Sequence, residues 1–410
     1  MNILREQNTI KINNLALPSV SNEFMVAIFQ GLNAGFTEFN LNFSGVKSVF
    51  PNAANPIAGI IHYHKNNGIV FNRVDSNGIV EKCSLMDPQK PPIHLDLDSI
   101  SPLNRIWYFE NSTEVFNLVD AYILELSKLD QFEEGVLNSL SWCLSEITDN
   151  ITIHSGVGHG FIMGQIHGKN KHVAFSVYDY GMGLFNSLKD SKHKPKETKD
   201  SILLAISEGV TRDPKIGAGN GLFGMHEIVR LNNGRISIST GNLLYHFEND
   251  TVKFTEKQSF FNKDSQSLAI DFQLNYDQKV SLSDVFKFNG QAYKFINLRI
   301  ENLENERGEV EYHLDKVKTG FGSRKSGAAI RNDVMNIIRE SNQVVVLDFS
   351  NISIISSSFA DELIGRLMVE LGIFKFNNVI RLKGLNNLIQ GIVQRSVSQR
   401  LSASINQNEE

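Results

Sequence analysis

Three short polar motifs follow one another in the middle of the chain, and their order restricts the fold more than any other feature of the sequence. They span Glu146–Asn150, Asp179–Gly183 and Gly217–Leu222. The first lies near the end of a stretch with helical periodicity, the second follows an apolar run typical of a buried strand, and the third opens another helical stretch. The interval from Asn150 to Asp179 is 29 residues, and 33 residues separate Gly183 from Gly217.

Each motif allows an ordinary interpretation beside a functional one. An Asn150 amide oxygen on a helix can hold magnesium, and a carboxylate one turn away, Glu146, can take a proton; the alternative is a solvated polar face. Asp179 at a strand end can accept a hydrogen bond from an adenine amino group, or it can begin a plain turn. A glycine turn at a helix start can hold phosphates, but a single such turn is weak support.

Taken in order, the three motifs resemble the N, G1 and G2 boxes of the Bergerat-fold (GHKL) ATPases. The strand that follows Gly234, read Arg-Ile-Ser-Ile-Ser, is similar to the strand downstream of the family's third box, with Asn233 in place of a glycine. The resemblance covers roughly residues 105–278. It implies an ATP-binding domain that uses Mg²⁺.

The resemblance also implies roles for individual residues. Glu146 takes the position of the catalytic general base, and Asn150 that of the Mg²⁺ ligand. Asp179 takes the position that binds adenine. The remaining cofactor-binding residues implied are glycines around the base and the phosphates, with one leucine: Gly181, Gly183, Gly217, Gly219, Gly221 and Leu222.

The segment between the two glycine motifs, residues 184–216, corresponds to the ATP lid. It is rich in lysine, and one of these side chains or Arg212 could contact the γ-phosphate; the alternative for the lysines is a solvated loop. The lysines in question are Lys189, Lys192, Lys194, Lys196 and Lys199. His154, at the helix end, is interpreted as structural.

Within the superfamily, the pattern from Glu146 to Ser155 resembles the N box of anti-sigma-factor serine kinases and histidine kinases. Sensor histidine kinases carry a phospho-acceptor histidine upstream, whereas the upstream His62 and His64 are interpreted here as surface or core histidines. Nothing in the sequence clearly matches the transducer domain that follows the ATPase domain of gyrase and MutL.

An internal repeat flanks this central region. The first repeat, residues 41–61, aligns without gaps with the second repeat, residues 347–367, and the two share identical Leu, Phe, Ser, Ala and Gly positions. Each reads as a strand, a loop of small residues and a helix, preceded by a helix near residues 22–32 or 328–340. Chance similarity of two such units is the alternative.

The second repeat resembles the STAS fold of anti-sigma-factor antagonists. Ser358 falls on the family's phospho-acceptor position, whereas Ser356 replaces the acidic residue found there, and the first repeat has Asn52 at the matching position. The other interpretation of Ser356–Ser358 is an N-cap cluster for the following helix.

Composition excludes several classes. A net charge of -5 gives no basic field that would collect nucleic acid. The two cysteines, Cys83 and Cys143, form no CxxC pair, which favours a reducing compartment. No apolar run reaches the length of a membrane span, and the N-terminal residues lack the apolar core of a signal peptide, so we expect a cytoplasmic protein.

The sequence therefore predicts an α/β protein, a Bergerat ATPase α/β sandwich between two smaller STAS-like α/β domains. The boundaries are 1–104, 105–278 and 279–402, with a disordered tail at 403–410. The expected function is a Mg-ATP-dependent signalling ATPase of the anti-sigma-kinase type that controls a protein partner, with Ser/Thr phosphorylation as one means. The alternatives are an ATP-gated switch or scaffold with slow hydrolysis, and a gyrase- or MutL-like hydrolase. A protein partner is expected, nucleic acid and membrane are not, and a homodimer is left open.

Overall fold

The computed structural model describes residues 2–76, 78–92, 95–97, 99–210, 221–257, 261, 266–288, 291–292, 297–318 and 320–406. Within these ranges the fold is mixed α/β, as predicted, with several sheets and interspersed helices. None of the described helices combines the length and the apolar character that crossing a lipid bilayer requires. Cys83 and Cys143 are both free and buried.

The chain divides into two compact units. Unit 1 comprises Met1–Tyr122 and Leu140–Gln278, and unit 2 comprises Ile123–Ser139 and Lys279–Glu410. The predicted domain boundaries at 104, 278 and 402 remain predictions.

Unit 1 begins with a four-stranded sheet in the order β1-β2-β3-β4, in which β2, β3 and β4 run parallel. The helices of this part carry apolar residues at helical spacing, and their buried faces pack with the strands in one hydrophobic core. The elements are β1 (Ile3–Glu6), β2 (Thr9–Ile12), α1 (Ser19–Asn33), β3 (Glu38–Asn42), α2 (Pro51–Asn66), β4 (Val70–Asp75) and α3 (Gly78–Lys82).

The rest of unit 1 contains a seven-stranded antiparallel sheet in the order β10-β9-β8-β11-β7-β6-β5. Successive side chains along each strand point to opposite faces of the sheet, so the two faces carry different residues. The strands are β5 (Ile106–Phe109), β6 (Gly160–His167), β7 (His172–Asp179), β8 (Arg235–Thr240), β9 (Leu243–Glu248), β10 (Thr251–Glu256) and β11 (Leu268–Asn275). The helices of this region are α6 (Gly183–Leu188), α7 (Thr198–Ala205) and α8 (Gly221–Leu231), together with the greater part of α4 (Ser112–Leu129) and of α5 (Val136–His154), whose residues 123–129 and 136–139 belong to unit 2.

Unit 2 is built around three parallel strands in the order β14-β15-β16. Its strands and helices bury a separate apolar core. The elements are α9 (Leu282–Val285), β12 (Lys287–Phe288), β13 (Gln291–Ala292), α10 (Leu298–Glu301), β14 (Val310–His313), a 3₁₀ turn (Leu314–Lys316), α11 (Arg324–Ser341), β15 (Val345–Asp348), α12 (Ser357–Ala360), a π-helical segment (Asp361–Gly365), α13 (Arg366–Leu371), α14 (Ile373–Val379), β16 (Ile380–Lys383) and α15 (Asn387–Asn406).

The two repeats take the same local structure. The first runs from β3 through a loop into α2, and the second runs from β15 through a loop into α12 and the π-helical segment. The helices predicted before each repeat are α1 and α11. Each repeat thus lies in a β-α-β-α-β arrangement with parallel strands.

Helix α5, which carries the first motif, begins at Val136 and does not extend back to Phe132. The Phe132 amide donates to Asn336 Oδ1 at 2.7 Å, and Gly135 takes a φ of 82° that a helix cannot continue through. Helix α15 extends to Asn406, into the segment predicted as a tail, and residues 407–410 lie outside the described ranges.

Candidate functional site

A cavity of about 360 Å³ opens in unit 1 beside α5, the end of β7, α6 and the start of α8. Its volume lies in the range of roughly 300–1,000 Å³ that small-molecule sites occupy. Residues from all three sequence motifs line it, although the motifs are far apart along the chain. They are Glu146, Asn150, Asp179, Gly183, Gly221 and Leu222.

Asp179 is the buried charge of this cavity. It ends β7, and only 2% of its surface is exposed. Its Oδ1 accepts a hydrogen bond from the Gly181 amide at 2.8 Å, which leaves the second carboxylate oxygen for a ligand. Burial raises the pKa of Asp179 to about 7, because water no longer stabilises the carboxylate. A donor group that entered the cavity would therefore meet a strong, poorly solvated acceptor.

Glu146 and Asn150 lie one turn apart on α5, where the apolar stripe of the helix leaves them on its polar side. Burial, with a smaller contribution from the neighbouring Asp149, raises the pKa of Glu146. A raised pKa makes this carboxylate a better proton acceptor near neutral pH.

The start of α8 touches both of these side chains. A Cβ atom built on Gly221 would lie 2.6 Å from Glu146 Oε2 and 3.3 Å from Asn150 Nδ2. Only glycine fits at this approach without displacing the carboxylate. The backbone at the N-terminus of α8, with its partial positive charge, therefore lies directly beside the two polar groups of α5.

The end of α5 is tied to the turn after β7. The Ser155 carbonyl accepts from the Met182 amide at 2.9 Å, and the Ser155 hydroxyl accepts from the amides of Val157 and Gly158 at 3.2 Å each. The carbonyl contact joins the helix that carries Asn150 to the strand end that carries Asp179.

Not every predicted residue lines the cavity. Gly181 acts through its amide on Asp179 and is not among the lining residues in the described part of the chain. Gly217 and Gly219, together with Arg212, lie outside the described residues. The predicted lid contains α6 and α7, and its five predicted lysines are all exposed to solvent.

Other lining residues were not singled out in the sequence. Trp142 and Met182 belong to this group, as do Leu268 and Ile270 of β11. The two β11 residues could have been found from strand alternation, since Leu268 and Ile270 lie on one face of a strand that pairs with β7. Thr240 stabilises the same region, because its hydroxyl donates to Ser267 O at 2.8 Å and accepts from the Leu184 amide at 3.2 Å.

The serine cluster of unit 2, Ser356–Ser358, has a structural role at the N-terminus of α12. Ser356 is the N-cap of α12, and its hydroxyl accepts from the Phe359 amide at 3.0 Å, as the N-cap interpretation predicted. Ser358 is half-buried, with its hydroxyl 3.0 Å from that of Ser356.

Comparison with known families gives one match. Residues 326–390, from the first turn of α11 to the first turn of α15, match the STAS-like domain of unknown function (DUF4325). This match supports the STAS-like resemblance of the second repeat. No curated protein matches the chain.

Proposed function

We propose that unit 1 binds ATP with Mg²⁺ in the cavity between α5, β7 and α8, as the resemblance to the Bergerat-fold ATPases implies. The observation that carries the proposal is the convergence of the three motifs on one cavity. Asp179 lines the same cavity as Glu146 and Asn150, and the latter two side chains lie against Gly221 at the start of α8. The lining combines these polar groups with apolar side chains, as expected of a site for a base with an attached phosphate chain.

At the base end, Asp179 would accept a hydrogen bond from the adenine amino group. The carboxylate is preorganised for this because Gly181 already occupies its Oδ1. The apolar neighbours Ile147, Leu268 and Ile270 would contact the ring. Guanine presents a carbonyl oxygen where adenine presents the amino group, so two acceptors would face each other and guanine nucleotides should bind more weakly.

At the phosphate end, the amide at Gly221 and the N-terminus of α8 would stabilise negative charge. Asn150 would hold Mg²⁺ through its amide oxygen, and Mg²⁺ when bound supplies neutralisation of phosphate charge. Glu146 would take the proton of an attacking water or hydroxyl group. Its raised pKa supports this role.

In this proposal the protein is a signalling ATPase of the anti-sigma-kinase type, with a protein as the partner that it controls. The observation that favours signalling is the joining of the candidate ATP site to a STAS-like segment in one chain. Ser358 would be a phospho-acceptor in that segment, at the start of a helix, where the helix dipole favours a negatively charged phosphate.

Calorimetric titration with ADP, GDP and Mg²⁺ tests the proposal directly. We expect ADP to bind with a preference over GDP, and Asp179→Asn to remove most of the binding. Asp271→Asn is a matched control, because Asp271 also lies in the seven-stranded sheet with a pKa raised by burial to about 7. Strand alternation directs Asp271 away from the cavity that its neighbour Ile270 lines. Absence of ADP binding in the wild-type protein would refute the proposal.

A second experiment separates kinase, hydrolase and switch. The protein is incubated with Mg²⁺ and γ-labelled ATP, alone and with cell extract, and label on protein is compared with free phosphate. Label that forms on the protein without extract and disappears with Ser358→Ala identifies a kinase that acts on its own chain. Rapid release of free phosphate identifies a hydrolase, and tight binding with neither outcome identifies an ATP-gated switch.

A further inference from the structure

Strand β7 carries Asp179 on one face and a second set of contacts on the other. Val177 and Asp179 line the cavity. The residues on either side of Asp179, Tyr178 and Tyr180, point to the opposite face because side chains alternate along a strand. On that face they meet α2, the helix of the first repeat.

Helix α2 contacts β6 and β7 at successive turns. The Asn55 amide donates to Phe161 O at 3.0 Å and to Ser176 O at 2.9 Å. A Cβ atom built on Gly59 would lie 2.2 Å from the Tyr178 ring, so the helix backbone lies directly on that ring. One turn further, His62 Nδ1 lies at hydrogen-bond distance, 3.2 Å, from the Tyr180 hydroxyl.

Tyr180 is held on several sides. Only 7% of its surface is exposed, and its ring packs against those of His159, Tyr63 and His62, with centroids 4.8, 5.3 and 6.0 Å away. The Asn66 amide lies 3.5 Å from its hydroxyl. A side chain this constrained fixes the backbone at residue 180, and the adjoining peptide carries Asp179 and the Gly181 amide that hydrogen-bonds to it.

The corresponding face of the helix is covered in both repeats. Asn55 and Gly59 align with Asp361 and Gly365. In unit 2 the covering element is α15: Arg400 contacts both carboxylate oxygens of Asp361 at 2.6 and 2.7 Å, and its Cγ would lie 3.1 Å from a Cβ built on Gly365. In unit 1 the sheet that carries Asp179 covers the corresponding face instead.

We propose that His62 is a positioning residue for nucleotide recognition: through Tyr180 it holds the end of β7 so that the Asp179 carboxylate faces the adenine amino group. The inference rests on the proposed function and extends it, because it gives the first repeat a role in base selectivity. His62 does not touch the cavity; it acts through Tyr180 and the peptide between residues 179 and 181.

The ratio of ADP to GDP affinity distinguishes a positioning role of His62 from a purely structural one. Loss of packing alone would lower the affinity for adenine and guanine nucleotides alike, or lower the melting temperature alone. Displacement of Asp179 would reduce the affinity for ADP more than that for GDP, because adenine carries an amino donor at the ring position where guanine carries a carbonyl oxygen.

The test measures the ratio of ADP to GDP affinity by calorimetric titration in five full-length variants, namely four single variants and the double variant His62→Leu/Tyr180→Phe. His62→Leu removes the hydrogen-bonding ring, and Tyr180→Phe removes only the hydroxyl. His62→Asn keeps an amide near the place of Nδ1 that can donate or accept, and should restore the ratio. Asp87→Asn, the control, breaks the ion pair of Asp87 with Lys65 of α2 (2.8 Å) without touching β7.

We expect His62→Leu and Tyr180→Phe each to lower the ratio by roughly three- to tenfold, as the loss of one buried hydrogen bond would. The double variant should lose no more than either single one, since both remove the same interaction. Asp87→Asn should leave the ratio unchanged. An adenine preference in the wild-type protein that survives in folded His62→Leu and in Tyr180→Phe overturns this inference alone. A wild-type protein that binds neither nucleotide overturns the proposed function and this inference with it.

Discussion

Replacing Asp179 with asparagine should raise the stability of the nucleotide-free protein and weaken nucleotide binding. Burial raises the pKa of Asp179 to about 7 in the folded protein, against an ordinary value of 3.8. An acid whose folded pKa lies above its unfolded pKa holds more protons when folded, so the free energy of unfolding falls as pH rises between the two values. The destabilisation is absent below about pH 4 and complete above about pH 7.

The gap between the two pKa values, about three pH units, corresponds to a penalty on the order of 4 kcal/mol. Asparagine has the same shape, carries no charge and can still accept the hydrogen bond from the Gly181 amide through Oδ1. At pH 8 we therefore expect the substitution to raise the free energy of unfolding by about 1–4 kcal/mol. A gain of about 2 kcal/mol would move the melting temperature of a unit of this size by roughly 4–8 °C.

The effect on binding has the opposite sign. With Oδ1 held by Gly181, the asparagine directs its Nδ2 donor to the place where the carboxylate offers an acceptor, and the adenine amino group is also a donor. Loss of this charge-assisted hydrogen bond should cost about 1.5–3 kcal/mol, or roughly a ten- to hundredfold loss of affinity. The wild-type affinity should itself fall below about pH 7, where Asp179 becomes protonated.

Scanning calorimetry at pH 8 and near pH 4.5 measures the first effect, and titration with ADP measures the second. The difference in melting temperature between wild type and Asp179→Asn should be large at pH 8 and small at the lower pH. Asp271→Asn should also stabilise the protein at pH 8, because burial raises the pKa of Asp271 to about 7, but it should leave ADP binding unchanged. If Asp179→Asn melts lower than wild type at pH 8 and binds ADP normally, Asp179 is a structural acceptor and the reasoning is wrong.

Three further substitutions test other parts of the structure. Glu146→Gln should leave ADP affinity intact and lower the rate of phosphate release by about 10²–10⁴, and equal rates in variant and wild type would remove Glu146 from the chemistry. Asn150→Ala should abolish most of the gain in ATP affinity that Mg²⁺ provides over EDTA; a gain of normal size would exclude Asn150 as the magnesium ligand. Gly59→Ala should lower the free energy of unfolding by about 1–3 kcal/mol, because its Cβ would lie 2.2 Å from the Tyr178 ring, and an unchanged calorimetric transition would contradict the packing of α2 on β7.

Local pattern was sufficient for most of the elements around the cavity. The apolar run before Asp179 that predicted a buried strand corresponds to β7, and the strand predicted after Gly234 corresponds to β8. Strand β8 alternates between buried and partly exposed positions, whereas β7 is buried at all but its first position. The start of α5 could not be predicted in this way, because the Phe132 amide is held by Asn336, more than two hundred residues away.

The candidate site was predicted from residue order and not from chemistry alone. Each motif by itself has a common structural interpretation. Only the order and spacing of the three motifs along the chain predicted that they form one site. The structure brings Glu146, Asn150, Asp179 and Gly221 together. The link from Ser155 to Met182 was not predicted, because a backbone carbonyl leaves no mark in the sequence.

The role that we infer for His62 marks the limit of pattern-based reasoning. A histidine on the partly apolar face of a helix is ordinary, and its partner Tyr180 lies 118 residues away. The alignment of the two repeats does contain part of the answer, since glycine stands at both 59 and 365 and each lies against a neighbouring element. A glycine at the same position of both repeats therefore predicts that another element packs closely on this helix face. The element that packs on this helix face differs between the repeats: it is a sheet at Gly59 and a helix at Gly365. The difference arises because the packing element belongs to chain segments outside the repeat. The sequence of the first repeat thus predicts that another element packs on this face of α2. The structure was needed to show that this element includes β7, the strand that carries Asp179.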